Sequence, residues 1–168
     1  MTLYTDNLIL RTVETSDIEE VARMWEFEKG RISTEEAQKA IDYMQSNHEK
    51  NKPGNIYHLC FAVFEKGNGH IIGWCGLDGK IAGKLHIFYL IEKDYRNKGY
   101  ATQCAEKLLS YAFDEAHVSF VNGGCDKDNI ASYKVMTKIG MRENGYEANG
   151  DPLLFLNDEI YRENGTRR

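Results

Sequence analysis

Arg96, Lys98 and Gly99 fall together in Tyr95-Arg96-Asn97-Lys98-Gly99-Tyr100-Ala101-Thr102, a stretch whose residue types suit a bound diphosphate. It follows the apolar run Leu85 to Ile91 and leads into the amphipathic segment Cys104 to Ala116. The pattern predicts a strand, a short polar turn and a helix start. The first N–H groups of a helix lack internal partners, and the helix dipole favours negative charge there. Gly99 lets the backbone approach a ligand closely, while Arg96 and Lys98 supply charge. Two other phosphate cradles are excluded by order. A P-loop needs Gly-x-x-x-x-Gly-Lys-Ser/Thr, whereas Lys98 precedes its glycine, and Gly-x-Gly-x-x-Gly is absent. Gly67-Asn68-Gly69 with Gly73 has the wrong spacing for that fingerprint and reads as a hairpin turn.

A second polar cluster follows in Asn129-Ile-Ala-Ser132-Tyr133-Lys-Val-Met136-Thr-Lys138-Ile-Gly140-Met141, and the chain opens with Thr5-Asp-Asn-Leu8-Ile9-Leu10-Arg11. In this order the segments resemble the GNAT superfamily of N-acetyltransferases. Arg96-x-x-Gly99-x-Ala101 is similar to the loop that holds the pyrophosphate of acetyl-CoA there. Asn129 to Met141 is similar to the family's Asn-x-x-Ala/Ser block followed by Lys-x-Gly-Phe. The opening segment resembles the first strand of the subfamily that includes ribosomal-protein N-terminal acetyltransferases.

The resemblance implies an α/β (α+β) fold, a single domain over residues 1–168 with a mixed, splayed β-sheet flanked by helices. It implies that acetyl-CoA is the co-substrate, with no metal. The pantetheine arm would enter between strands Lys84–Glu92 and Val118–Cys125, pairing with backbone groups of Tyr89, Leu90 and Ile91. Cofactor contacts would come from Arg96, Asn97, Lys98, Gly99, Tyr100, Ala101, Thr102, Asn129 and Ser132. The reaction implied is direct acetyl transfer in a ternary complex to a primary amine, either a small molecule or a peptide. A protein N-terminus, a polyamine, an amino sugar and an antibiotic amine are all open as acceptors. An acyl-CoA-binding module with weak or no catalysis is the alternative.

Acetyl transfer requires deprotonation of the amine, polarisation of the thioester carbonyl and stabilisation of the leaving thiolate. In many enzymes of the family a tyrosine seven residues after the asparagine protonates that thiolate; here the position is Met136. Ser132 and Tyr133 are the catalytic candidates that remain, Tyr133 lying about 40° from Asn129 on a helical wheel. Ordinary roles compete: helix-end hydrogen bonding for Ser132, packing for Tyr133. If only the acid has been lost, Met136→Tyr restores rate. For the general base, Asp78, Asp126, Asp128, His58, His86, Glu26 and Glu28 are candidates. Capping and solvation account for most of these acids, and packing for the histidines.

The 168 residues fit one domain, with 42% hydrophobic and 28% charged residues as in ordinary globular chains. No apolar run approaches the roughly 20 residues of a bilayer span, and no basic-then-apolar leader opens the chain, so a cytoplasmic protein with no membrane partner is expected. A net charge of −5 disfavours nucleic-acid binding. It mildly favours a cationic acceptor. Either a monomer or a homodimer is compatible. Cys60, Cys75, Cys104 and Cys125 have no metal spacing and read as reduced thiols, with Cys60 and Cys75 placed to face one another across a hairpin.

The elements that must position these groups follow from periodicity. A strand is predicted over Asn7–Val13, then helices opened by capping boxes at Ser16/Glu19 and Ser33/Glu36, then a loop from Ser46 to Asn55. Strands follow at Tyr57–Glu65, His70–Asp78 and Lys84–Glu92, the last apolar on both faces and therefore central. The phosphate-loop helix buries Ala101, Cys104, Ala105, Leu108, Leu109 and Ala112. After it come strand Val118–Cys125, helix Asn129–Ile139, two short strands at Arg142–Glu147 and Leu153–Asn157, and a frayed polar tail from Arg162.

Overall fold

The computed structural model describes residues 1–26, 29–80 and 84–165. Eight strands form one sheet: β1 (Thr2–Tyr4), β2 (Leu8–Arg11), β3 (His58–Glu65), β4 (Ile71–Asp78), β5 (His86–Ile91), β6 (Phe120–Gly124), β7 (Arg142–Tyr146) and β8 (Pro152–Asn157). Helices are α1 (Ile18–Met24), α2 (Thr34–His48), α3 (Tyr100–Ser110), α4 (Ile130–Lys138) and α5 (Asp158–Gly165). The strand order is β1-β2-β3-β4-β5-β6-β8-β7. All neighbours are antiparallel except β5 and β6, which run parallel.

β3 and β4 are buried along nearly their whole length because both sheet faces are covered. Val21, Ala22, Ala37, Ile41 and Met44 of α1 and α2 pack on Cys60, Ala62 and Trp74. On the other face Cys104, Ala105 and Leu108 of α3 share one buried cluster with Phe61, Val63, Cys75 and Leu77, and Met136 of α4 and Ile160 of α5 extend it. Alternation along β3 and β4 thus puts Cys60 and Cys75 on opposite faces, with Cys60 opposite Gly76 and Phe61 opposite Cys75. They do not face one another. Burial raises the Cys75 thiol well above its usual range, reinforced by a hydrogen bond with Cys104, and all four cysteines are free.

The Ser33/Glu36 capping box forms as expected. The one expected at Ser16/Glu19 does not: Asp17 Oδ2 accepts from Glu14 N at 2.8 Å and is held by Arg11 at 2.7 Å, while Glu19 pairs with Arg31. Two elements escape the periodicity. β1 is a three-residue edge strand that exists by pairing with β2, and α5 extends where a frayed tail is expected. Ile160 is buried, the Tyr161 ring stacks on Phe113 at 4.7 Å, and Arg162 pairs with Asp114 at 2.6 Å. Docking of one apolar side and one charged side is what orders this segment.

The central expectation for β5 holds only in part. His86 is paired with Asn122, and Asn122 N donates to Leu85 O at 2.7 Å. Among the described residues this is the one register pair that joins β5 to β6. Tyr89, Leu90 and Ile91 pair with Cys75, Trp74 and Gly73 of β4 but have no β6 partner. Leu90 is accordingly 39% exposed in the middle of the sheet. The seam opens toward the C-terminal end of β5.

Candidate active site

The loop 92–99 leaves β5 at the end where the seam opens. A short 3-10 turn, Lys93–Tyr95, carries the chain from β5 to Arg96. Arg96 Nε donates to Ile91 O at 2.8 Å, tying the loop back to the strand. Asn97 and Gly99 both lie at positive φ, 63° and 77°. Gly99 is the N-cap of α3, and no side chain caps that end. The leading N–H groups of α3 therefore face outward without intrahelical partners. Apart from its two chain neighbours, no atom of the described residues lies within 4 Å of the place a Gly99 Cβ would occupy, so the mouth of the helix is open. An uncapped helix start of this kind fits a diphosphate.

Neighbouring elements hold the loop in place. Lys98 Nζ lies 3.9 Å from Glu65 and 4.9 Å above the Tyr95 ring. The Tyr95 hydroxyl accepts from Asn68 Nδ2 at 3.1 Å. Tyr100 is buried and its hydroxyl donates to Glu65, which raises the phenol above its usual range. Thr102 is buried as well. Tyr100 and Thr102 can thus offer a ligand backbone groups rather than side chains. Gln103 Oε1 accepts from Thr5 Oγ1 at 2.7 Å, fastening the first turns of α3 to the β1–β2 connection. Glu65, Asn68 and Gln103 lie outside the motif. Their role arises from contacts between elements distant in sequence.

Across the seam, Asn129 caps α4 by accepting from Ser132 N at 3.0 Å. The Tyr89 hydroxyl donates to Ser132 O at 3.1 Å and lies 3.0 Å from Ser132 Oγ. Burial raises the Tyr89 phenol above its usual range, which keeps it protonated at neutral pH. Tyr133, one residue on, is directed elsewhere: its hydroxyl donates to Glu143. Met136 is 1% exposed and packs under β6, its sulfur 2.8 Å from where a Gly123 Cβ would stand. A tyrosine there would overpack a filled core, so Met136→Tyr is expected to destabilise by about 1–3 kcal/mol with no gain in rate. Denaturant midpoints and turnover of the variant check both parts; a faster, equally stable enzyme would overturn this reading.

The base candidates separate by environment. His58 and Asp78 are cross-strand neighbours, with His58 Nδ1 3.6 Å from Asp78 Oδ2, beyond hydrogen-bond reach. That nitrogen is buried without a hydrogen-bond partner among the described residues, and the ring stacks on Phe88 at 6.2 Å. Burial lowers the His58 imidazole below its usual range. Asp78 is drawn to Lys80 at 3.3 Å, and His86 follows Asp78 across the sheet, itself lowered by burial. Asp126 Oδ1 accepts from Asp128 N at 2.8 Å in the turn before α4, a structural use. Glu26 pairs with Lys29 at 3.4 Å on the surface. Glu28 lies outside the described residues. A separate cavity of about 440 Å³ opens at the other end of the β5–β6 seam, lined by Ile56, Lys84, Leu85, Val118, Phe120 and Asn122 among others. It is remote in the chain from the α3 mouth, and its lining contains none of the motif residues.

A parallel seam that opens past a single pair thus lies at the same end of β5 as an uncapped, glycine-led helix. The sequence profile of the acetyltransferase (GNAT) domain matches residues 7–142, and the chain belongs to this family. Among curated relatives, the uncharacterized N-acetyltransferase p20 of Bacillus licheniformis is 24% identical over 151 residues, covering 86% of this chain and 84% of that protein. The uncharacterized N-acetyltransferase YnaD of Bacillus subtilis is 42% identical over 60 residues, so this chain spans about a third of its length, 35%. The ribosomal-protein-S5-alanine acetyltransferase of Vibrio fischeri shares the fold with a TM-score of 0.80 at 16% identity, covering 96% of this chain and 98% of that one. RimL, a ribosomal L7/L12 α-N-protein acetyltransferase solved in complex with coenzyme A, has a TM-score of 0.72 at 16% identity, covering 95% and 99%. Among the described residues no helix is long and apolar enough to cross a membrane.

Proposed function

We propose that the protein transfers an acetyl group from acetyl-CoA to a primary amine, directly and within a ternary complex. One observation carries this reading: the uncapped start of α3 and the stretch Tyr89–Ile91, without a partner on its β6 side, meet at one end of β5. A long ligand with an anionic head and an amide-bearing arm matches that pair of features. Gly99 and the leading N–H groups of α3, with Lys98, would take the diphosphate. The free backbone edge of β5 would pair with the amide arm. Asn129 and Ser132 flank the seam from α4, where the thioester would lie. Supplied with acetyl-CoA, the chain needs only to orient the amine and manage protons, and Ser132 is the nearer candidate to the leaving sulfur. Tyr133 reaches the seam only if its bond to Glu143 is given up.

CoA is expected to raise the melting temperature. A ligand binding only the native state adds about 2.7 kcal/mol at 100-fold excess over Kd, a shift of several degrees for a chain this size. No shift at millimolar CoA would remove the cofactor assignment. Turnover is then tested by thiol release from acetyl-CoA with a panel of a peptide N-terminus, a polyamine, an amino sugar and an aminoglycoside. A thermal shift with no release from any amine favours the acyl-CoA-binding alternative.

A further inference from the structure

We propose that Tyr89 is the proton source for the leaving CoA thiolate, acting through Ser132; this rests on the acetyl-transfer reading. Three observations converge on it. The position seven residues after Asn129 is filled by a buried methionine that packs beneath β6. The hydroxyl of Tyr133 is engaged by Glu143, on the exposed strand β7. Tyr89, in contrast, projects from the stretch of β5 that has no β6 partner and spans the seam to α4, with its oxygen 3.0 Å from Ser132 Oγ.

The alternation of β5 explains the placement. Ile87, Tyr89 and Ile91 share the face covered by α3 and α4, whereas His86, Phe88 and Leu90 point to the other. A tyrosine at this register crosses a seam that a shorter side chain would leave open. Its ring packs against the core while the hydroxyl reaches the first turn of α4.

The chemistry assigns the two hydroxyls different tasks. When the tetrahedral intermediate collapses, the carbon–sulfur bond breaks and its electron pair goes to sulfur. A serine hydroxyl is far too weak an acid to release its proton unless another replaces it at once. Of the two hydroxyls the phenol is by far the stronger acid; with an ordinary pKa of about 10, raised by burial, it is weaker than a thiol at about 8.5, so the transfer runs uphill and is drawn on as the phenolate regains a proton. Ser132 Oγ gives its proton to sulfur as the Tyr89 hydroxyl, turning from Ser132 O to Ser132 Oγ 3.0 Å away, gives its own to Ser132 Oγ. Tyr89 is left as phenolate and recovers a proton from solvent, which has received the one lost by the amine. The sum is amine plus thioester to amide plus thiol, with no proton unaccounted for. Tyr89 is in these terms a positioning and proton-supplying residue; Ser132 is the one adjacent to sulfur.

The test compares wild type, Tyr89→Phe, Ser132→Ala and the double variant by thiol release from acetyl-CoA with the best amine of the panel. Tyr89→Phe keeps the ring, so the seam stays filled. We expect each single change to lower kcat about tenfold or more. KM for acetyl-CoA and the affinity for CoA should stay within about twofold. The double variant should be no slower than the slower single one, because both remove the same proton path. Tyr89→Phe with wild-type kcat, or single effects that multiply, would overturn the relay. So would a loss in Tyr89→Phe matched by an equal loss of CoA affinity and melting temperature, which marks a structural role. Wild type that binds CoA yet releases no thiol with any amine would instead overturn the acetyl-transfer reading, and the relay with it.

Discussion

Gly99→Val is expected to reduce CoA affinity by about 100-fold or more, equivalent to about 2.8 kcal/mol, while the protein remains folded. Two effects add. Gly99 sits at φ 77°, where a β-branched residue is strongly disfavoured, at a cost of about 1–2 kcal/mol. The chain relieves that strain by swinging φ negative, which turns the leading N–H groups of α3 and carries Lys98 away from Glu65 and Tyr95. Where φ does not relax, the isopropyl group occupies the open space at the helix mouth, since beyond its chain neighbours no atom of the described residues lies within 4 Å of its first carbon. The same openness is why the fold survives. Arg96→Ala is expected to cost less, about tenfold, because its Nε bond to Ile91 O braces the loop but the backbone donors persist. Calorimetric titration with CoA measures both. Wild-type affinity in Gly99→Val would place the cofactor elsewhere.

Gly76→Val is expected to destabilise the protein by about 3 kcal/mol, lowering the melting temperature by on the order of 10 °C. Gly76 lies in β4 between Cys60 of β3 and Phe88 of β5. A Cβ there would stand 1.9 Å from Leu59 O and 2.6 Å from Phe88 Cζ. The phenyl ring can rotate aside, at the expense of its stacking on His58. The carbonyl cannot retreat without opening the β3–β4 ladder, and that ladder is the middle of the sheet. Gly76→Ala should show the same sign with a smaller size, since one methyl group meets the same carbonyl. A melting temperature within about 2 °C of wild type for the valine variant would show that β3 yields more easily than a buried central strand should.

The two glycines differ in how they can be read. Gly99 announces itself through Arg96, Lys98 and the helix stripe that follows, because a helix start and its neighbours are local in sequence. The Ser33/Glu36 box and the buried face of α3 are legible for the same reason. Gly76 carries no local signal: its need for a missing side chain comes from Leu59 and Phe88, on strands reached only after folding. The pairing of Asp17 with Arg11 and the stacking of Tyr161 on Phe113 are equally non-local. The first displaced an expected cap and the second ordered an expected loose end.

Of the site, the chain by itself determined the glycine-led turn before α3, the two blocks that flank the seam and the family they belong to. These depend on spacing within single elements. Only the tertiary structure decided which hydroxyl faces which. Tyr89 and Ser132 are 43 residues apart and meet because β5 and α4 bound one seam. Tyr133 and Met136 lie beside Ser132 in sequence, yet one turns to Glu143 and the other into the core. Side-chain periodicity says which residues share a face. It does not say what stands opposite that face, and proton transfer depends on a partner within hydrogen-bond distance.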